Sequence, residues 1–387
     1  MILGIDASNI RSGGGVTHLV ELLRAATPSN HGFARVIVWS GSATLAVIEE
    51  RDWLLKVHDP LLDRGFPYRV FWQLFRLKDL AQRASCDVLF VPGGTNANSF
   101  KPMVAMSQNL LPFEWREMLR YGWSFYTLKF LLLRWSQSHS FRKADGVIFL
   151  TEYARNVVSN VIGKQRGVST IIPHGIHPRF LLPPRSQRPS SEFQSANPWL
   201  VLYVSVVSPY KHQWQVVEAV AQLRSAGVPV VLKLVGPPEE GMNRLRSAIK
   251  RFDPDGNFII YCGTVGYDDL DKIYAAADIG LFASSCENMP NILLEGMAAG
   301  LPMACSKMGP MPEVLGYAGI YFDPENPAEI AQAIRQLIDS PELRAIKAQA
   351  GFDLAGQYSW KRCADRTFAF LAHISQADFN ENVEPSF

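Results

Sequence analysis

The sequence has no Cys-x-x-Cys pair. Its five cysteines, Cys86, Cys262, Cys286, Cys305 and Cys363, are odd in number and scattered. That excludes a disulfide framework and the usual zinc spacings, fits a reducing compartment, and leaves small core residues as the reading. A charge excess is also missing. Thirty-eight Lys and Arg against 36 Asp and Glu give a net charge of +2, which names no partner. No apolar run reaches the ~18 residues that a spanning helix needs. Met1 to Asp6 leads directly into a Gly-rich turn, so no secretory signal is expected. There is no Gly-x-Ser-x-Gly elbow, no Gly-Lys-Ser/Thr phosphate loop, no repeat of 20–50 residues and no low-complexity tract. These absences predict a cytoplasmic globular protein, with attachment to a membrane surface left open.

What is present is length and alternation. At 387 residues, 48% hydrophobic and 19% charged, the chain suits two domains. Strands are predicted at Ile2–Asp6, Ala34–Trp39, Asp87–Val91, Met103–Ser107, Gly146–Leu150 and Ser169–Pro173. Helical patterns at Val16–Arg24, Tyr68–Arg83 and Glu152–Val161 fall between them. The alternation implies an α/β fold with a parallel sheet covered on both faces. It stops at 181–198, LLPPRSQRPSSEFQSANP, which reads as a linker. It restarts with strands at Leu200–Ser205, Val230–Val235, Asn257–Tyr261, Ile279–Ala283 and Pro302–Cys305. Helices are predicted at Gln213–Ser225, Tyr267–Ala276, Pro290–Ala299 and Pro327–Leu337, with a terminal helix from about Ser359 to Ile374. The expected domains are therefore 1–180 and 199–358, joined by 181–198, with 359–387 as a helix and tail.

The stretch from Phe282 to Gly300, FASSCENMPNILLEGMAAG, carries the most chemistry. A strand ends, a polar loop follows, and Pro290 suits the first helical position. Gly300 suits the end of that helix, with Pro302 beyond it. Free amides at Asn291, Ile292 and Leu293 would face the loop, and a helix N-terminus of this kind binds anions such as a nucleotide diphosphate. Glu295, one turn up, can accept both hydroxyls of a ribose. Glu287, in the loop, can face a sugar. Taken singly, such acidic residues would only stabilise the helix dipole.

Taken together the residues resemble glycosyltransferase family 4, the retaining GT-B group, and within it a subgroup that builds bacterial surface polysaccharide. Glu287-NMPNILL-Glu295-GMAAG-Leu301-Pro302 matches its Glu-x7-Glu pattern. Lys211 in YVSVVSPYKHQ, Gly236 in VVLKLVG, Gly263 and Val265 in YCGTVGYDDL, and the stretches Pro312–Leu315 and Gly319–Pro324 follow in order. Weaker matches lie at Ser12–Val16 and Ile172–Ile176. The resemblance implies two doubly wound Rossmann-like domains whose parallel sheets face a central cleft, with the terminal helix crossing back to the first. It implies transfer of a hexose, mannose as a guess, from GDP-mannose or a UDP-hexose to a glycan or lipid-linked oligosaccharide, as in O-antigen or capsule synthesis. Lys211 would neutralise the departing diphosphate. Glu287, Lys211 and Asn109 are the implied catalytic residues. Gly14, Gly15, Gly236, Val265, Asn288, Met289, Pro290, Asn291, Ile292 and Glu295 would bind donor with Lys211. Gln108, Asn109 and His174 would meet the acceptor.

Two positions depart from the family pattern. Val206 stands where many members have Arg, and Gln108-Asn109 stands where many have His-Asp. Gln and Asn bind hydroxyls but cannot act as general bases. No obligatory cofactor or metal is implied. The Asp268/Asp269/Asp271 and Asp253/Asp255 groups are explained by helix starts and turns. Competing readings are a GT-B sugar-nucleotide epimerase, whose extra acid/base pair is not visible, and a non-catalytic nucleotide-sugar-binding scaffold.

Two basic, aromatic stretches remain, Arg64–Arg83 and Trp115–Lys143. The second holds six Lys/Arg and one Glu. This composition suits a helix on an anionic membrane surface, on the cytoplasmic face of the inner membrane, and equally a core helix with a basic rim. No nucleic-acid module is visible.

Overall fold

The computed structural model describes residues 1–377. Two compact units divide the chain. The first holds Met1–Met118, Trp123–Gly175 and the described chain from Ser359 onward; the second holds Leu119–Gly122 and Ile176–Tyr358. Of the terminal segment 359–387, residues 378–387 lie outside the described residues.

In the first unit the strands are β1 (Ile2–Asp6), β2 (Arg35–Ser40), β3 (Leu54–His58), β4 (Val88–Val91), β5 (Met103–Met106), β6 (Gly146–Phe149) and β7 (Val168–Ile171). They form one sheet in the order β3-β2-β1-β4-β5-β6-β7, every pairing parallel. The second unit has β8 (Trp199–Val204), β9 (Val230–Val235), β10 (Ile259–Tyr261), β11 (Ile279–Phe282), β12 (Met303–Ser306) and β13 (Gly319–Phe322), in the parallel order β10-β9-β8-β11-β12-β13. Central strands such as β4, β5 and β11 are buried along their whole length. They are covered on both faces and so read as unbroken apolar runs. Each such aliphatic side chain contributes about 1.5–3 kcal/mol by leaving water. In each sheet the order reverses once, between β1 and β4 and between β8 and β11. Beyond the carboxyl ends of those strand pairs lie the crevices where doubly wound sheets bind ligands.

The linker expected at 181–198 lies inside the second unit rather than between the two. Leu182 N–H donates to Ala298 O at 2.9 Å, and Arg188 pairs with Asp278 at 3.2 Å. Arg344, fully buried, donates to Leu337 O, Ile338 O, Arg188 O and Gln187 Oε1, and its guanidinium lies 4.5 Å from the Trp199 ring centroid. Proline and serine content marked a chain without secondary structure; these polar contacts strap it down. In the first unit the terminal helix Trp360–Gln376 packs on the helix Gly14–Ala25 and, through Phe368, edge-on against Phe33 at 6.0 Å.

The stretch expected as one helix over Tyr68–Arg83 is a helix at Phe66–Trp72, a π-helical turn at Gln73–Leu77 and a helix at Lys78–Arg83. The second basic stretch, weighed as a membrane-surface helix or a core helix with a basic rim, is buried only in part. In the helix Phe125–Lys143, Phe125 and Trp135 are 76% and 71% exposed, while Gln137, Ser138 and Ser140 are buried. Phe130 and Phe141 are buried as well, and Lys129, Arg142 and Lys143 are exposed, so one face of the helix covers core while other aromatic residues face outward.

Candidate functional site

In the second unit the loops after β8 and β11 lie side by side because those strands pair. Ser285 N–H donates to Tyr210 O at 2.9 Å, and the His212 ring Nε2 meets Ser285 Oγ at 2.9 Å. His212 adopts a left-handed φ of 54°, which costs a non-glycine residue, and the buried bond to Ser285 offsets that cost. These ties bring Lys211 and Glu287, 76 residues apart, into a direct ion pair between Lys211 Nζ and Glu287 Oε1. Both side chains are largely buried. The Lys211 ammonium also lies 5.0 Å from the Tyr210 ring centroid and 5.3 Å from that of Phe282. Tyr203 Oη donates to Lys211 O at 2.7 Å and fixes the backbone beneath it. The cation is therefore held by one carboxylate and two aromatic faces, a setting that lowers its desolvation penalty without spending every donor.

Glu295 lies on the helix Asn291–Ala298 and is buried. Burial pushes its carboxyl up to about 7; a hydrogen bond from Tyr274 Oη at 3.0 Å and the nearby Arg179 charge pull the other way. Arg179 pairs with Asp268 at 2.7 Å and lies 3.8 Å from the Tyr267 ring centroid. Pro290 is the cap of this helix rather than its first residue, with ψ at 71°. The Asn291 N–H turns back to Met289 O at 2.9 Å, and the first helical bond runs from Leu294 N–H to Pro290 O. Of the three amides expected to face the loop, Ile292 and Leu293 keep that role by helix geometry, whereas Asn291 N–H is engaged locally. Asn288 and Met289 are buried beneath the loop, and Gly300, at φ 65°, ends the helix.

Gly236 follows β9 with φ at 144°, and a Cβ there would lie 2.0 Å from Ser205 O, so only glycine fits. Its N–H donates to Gly263 O at 2.8 Å, which sets the loop carrying half-buried Val265 beside it. Val206 supplies no cation; its carbonyl accepts from Gln213 Nε2 at 2.7 Å. Asp253, weighed above as a metal ligand, accepts from the amides of Asn257, Phe258 and Ile259 and closes a turn.

In the first unit the Gly-rich turn opens the helix Gly14–Ala25, with Gly13 at φ 64° as its cap. Gly14 is open to solvent, and a Cβ on Gly15 would meet Gln108 Oε1 at 3.3 Å. Gln108 Nε2 lies 3.1 Å from His18 Nδ1. The His18 ring stacks on His174 at 4.7 Å, and His174 tilts against Trp360 at 5.5 Å. Burial holds His18 well below the usual imidazole range, and the charge His174 can carry acts in the same direction. Two sequence-predicted residues, Gln108 and His174, thus touch a third, His18, that sequence reasoning did not single out, and Gly15 lies against Gln108. Asn109 is outside this cluster: it is exposed, and its Oδ1 accepts from Leu111 N–H at 3.1 Å. Tyr274, Arg179 and His212 were also missed. The strand–loop–helix spacing gave no signal for Tyr274 and Arg179, while His212 directly follows the recognised Lys211.

Two family models divide the chain: "Glycosyltransferase Family 4" matches residues 12–180 and "Glycosyl transferases group 1" matches residues 185–352. O-antigen chain mannosyltransferase B of Escherichia coli is 36% identical over 110 residues, 28% of this chain and 29% of that protein. The chain spans between 24% and 62% of the length of the first three curated relatives it matches. Among solved structures, sucrose-phosphate synthase from Thermosynechococcus elongatus superposes with a TM-score of 0.74 at 16% identity, over 95% of this chain and 97% of that one. The Anabaena protein HepE, in complex with UDP-glucose, gives 0.69 at 17% identity, over 96% and 100%. With two parallel Rossmann-like sheets and both family patterns in place, the chain belongs to the family 4 and group 1 glycosyltransferases of GT-B fold.

Proposed function

We propose that the protein transfers a hexose, with retention of configuration, from a nucleoside-diphosphate sugar to a glycan or lipid-linked glycan of a surface polysaccharide. The observation that carries this reading is the buried Lys211–Glu287 pair at the β8/β11 switch point, with buried Glu295 on the helix that follows the Glu287 loop. Lys211 neutralises the diphosphate as it departs, where a positive charge matters most in the transition state. Glu287 orients the sugar, and ionised Glu295 accepts ribose hydroxyls. The bond from sugar C1 to the phosphate oxygen breaks while acceptor oxygen attacks the same face. The acceptor proton passes to the departing phosphate, since Gln108 and Asn109 cannot take it. Mannose is the sugar suggested by the name of the Escherichia coli relative, for which GDP-mannose is the donor to try first; a UDP-sugar is suggested by the HepE complex with UDP-glucose.

A thermal-shift panel of UDP, GDP, ADP and their sugars tests the donor reading, because a ligand of the native state raises its melting point. One nucleotide family should raise Tm, and Glu295→Ala should abolish the shift. NMR of the product formed with the donor so identified should then show the donor's anomeric configuration. No shift with any nucleotide, or an inverted product, refutes the reading. An epimerised donor in the absence of acceptor would favour the epimerase instead.

A further inference from the structure

We propose that Arg11 and Arg69, beside the β1/β4 crevice of the first unit, form a phosphate-binding site for the headgroup of a lipid-borne acceptor. The proposal rests on the transfer reading for its biological sense and names the acceptor class that reading leaves open.

Arg11 lies on the loop after β1. Its guanidinium donates to Arg64 O at 3.1 Å and Asp63 O at 3.2 Å. Arg69, on the helix Phe66–Trp72, donates through Nη1 to Asn9 Oδ1 at 3.1 Å and Ser8 O at 3.4 Å. Its Nε is buried without a partner. Among the described residues neither guanidinium has a carboxylate partner. The neighbouring acids are committed elsewhere: Asp63 to His58 and Ser42, Asp59 to Arg76 and Trp72, Asp6 to Ser8 and Gln73. The two cations oppose each other: burial first, and then the Arg11 charge, hold Arg69 below its ordinary range. Packing two like charges together with their remaining donors unspent is unfavourable in the free protein, and a dianion relieves it. Guanidinium forks match phosphate oxygens two at a time.

The surface next to this pair specifies what the phosphate is attached to. Phe66, Tyr68, Phe71, Leu74 and Phe75, all on the same helix and its π-helical extension, are exposed. The Phe71 and Phe75 rings lie 4.8 Å apart. A soluble sugar phosphate gives no reason for this apolar row. A hydrocarbon chain or the outer layer of a bilayer does, with the guanidiniums at headgroup depth. Both features belong to the first unit, so the argument needs nothing from the donor site.

The test is flotation of the full chain with three vesicle preparations: phosphatidylcholine alone, with polyprenyl phosphate, and with phosphatidylglycerol at the same mole fraction. The wild type should bind the polyprenyl phosphate vesicles about tenfold more tightly than the phosphatidylglycerol vesicles, since charge-assisted bonds of this kind are each worth more than one decade. Arg11→Gln/Arg69→Gln should reduce that preference to about one while leaving Tm unchanged. Inorganic pyrophosphate should release the wild type from the polyprenyl phosphate vesicles, a readout that needs no variant. Equal binding to the two anionic preparations, or retention despite pyrophosphate, overturns the site. A pyrophosphate-induced Tm shift without vesicle preference overturns the lipid source. Nucleotide-induced Tm shifts report on the second unit separately: their loss in the wild type refutes the transfer reading alone.

Discussion

The two switch points solve the same electrostatic problem in opposite ways. At β8/β11 the cation Lys211 has its countercharge built in, from Glu287, and two loops are stitched together to hold the pair. At β1/β4 the cations Arg11 and Arg69 have carbonyls and an amide oxygen but, among the described residues, no carboxylate. A balanced site is preorganised and sensitive to loss of either partner. An unbalanced one gains from losing a charge until its ligand arrives. That contrast yields measurable differences.

The largest concerns Lys211. Lys211→Ala should lower transfer by about 10²–10³, the range for removing one preorganised charge-stabilising group. It should also destabilise the fold by about 3 kcal/mol, because Glu287 is left buried and unpaired. The double variant Lys211→Met/Glu287→Leu should recover most of that stability and none of the transfer. If denaturant titration finds the double variant as unstable as the single one, the ion pair is not what the loss reports.

Arginine offers the next comparison. Arg344 is as buried as any residue and fully satisfied by carbonyls of the strap and of the chain around Ile338. Arg344→Leu should cost about 2–4 kcal/mol, since several buried acceptors lose their donor together. Arg69→Leu should change stability by less than about 0.5 kcal/mol, as two modest bonds are lost and a repulsion is relieved. Comparable losses at both positions would remove the distinction between satisfied and unsatisfied arginines.

How much of this was legible in the sequence follows the same division. Central strands and the helix Gln213–Ser225 were readable because burial on both faces writes unbroken apolar runs and a clean helical stripe. The edge strands β3 and β13, only partly buried, left no such pattern. The helix Met242–Phe252 does carry a helical stripe of Met242, Leu245, Ile249 and Phe252 among charges, a signal that the reading of the sequence passed over. In the second unit Lys211, Glu287 and Glu295 stood in an ordered family pattern, yet the pairing of Lys211 with Glu287 did not. A contact across 76 residues depends on strand order, which local spacing does not encode. The partners Tyr274 and Arg179 were invisible for the same reason. In the first half His18 reads as one more residue of an amphipathic helix; only the fold stacks it on His174.

Glu295 supplies a pH test. Its carboxyl titrates near 7 in the folded protein and near 4.5 when unfolded, so the folded state holds the proton more tightly between those values. Stability from this group is therefore greatest below about pH 4.5 and falls as pH rises through 7, by about 3 kcal/mol in all. Glu295→Gln should raise Tm at pH 8 and leave it nearly unchanged at pH 4.5. Donor affinity should move the other way in the wild type, tightening as pH rises to 7, because ribose hydroxyls bind the ionised form. Calorimetry and nucleotide titration at the two pH values check both slopes; parallel slopes would break the assignment.

His18 supplies a second pH test, and its sign is opposite. Burial disfavours the imidazolium, so the folded state binds this proton more weakly than the unfolded chain does. The stability contribution is complete above the ordinary imidazole pKa of 6.5 and is lost as pH falls below it. Replacing His18 by Phe keeps a ring to stack on His174 and removes the titration. His18→Phe and wild type should melt alike at pH 8, and the variant should melt higher at pH 5. NMR of the wild type should show a neutral ring with its proton on Nε2, since the Gln108 amide donates to Nδ1. Acid would then weaken the first unit through His18 while relieving the second through Glu295. A wild type that loses no more stability than His18→Phe on acidification would show that this buried ring does not titrate against folding.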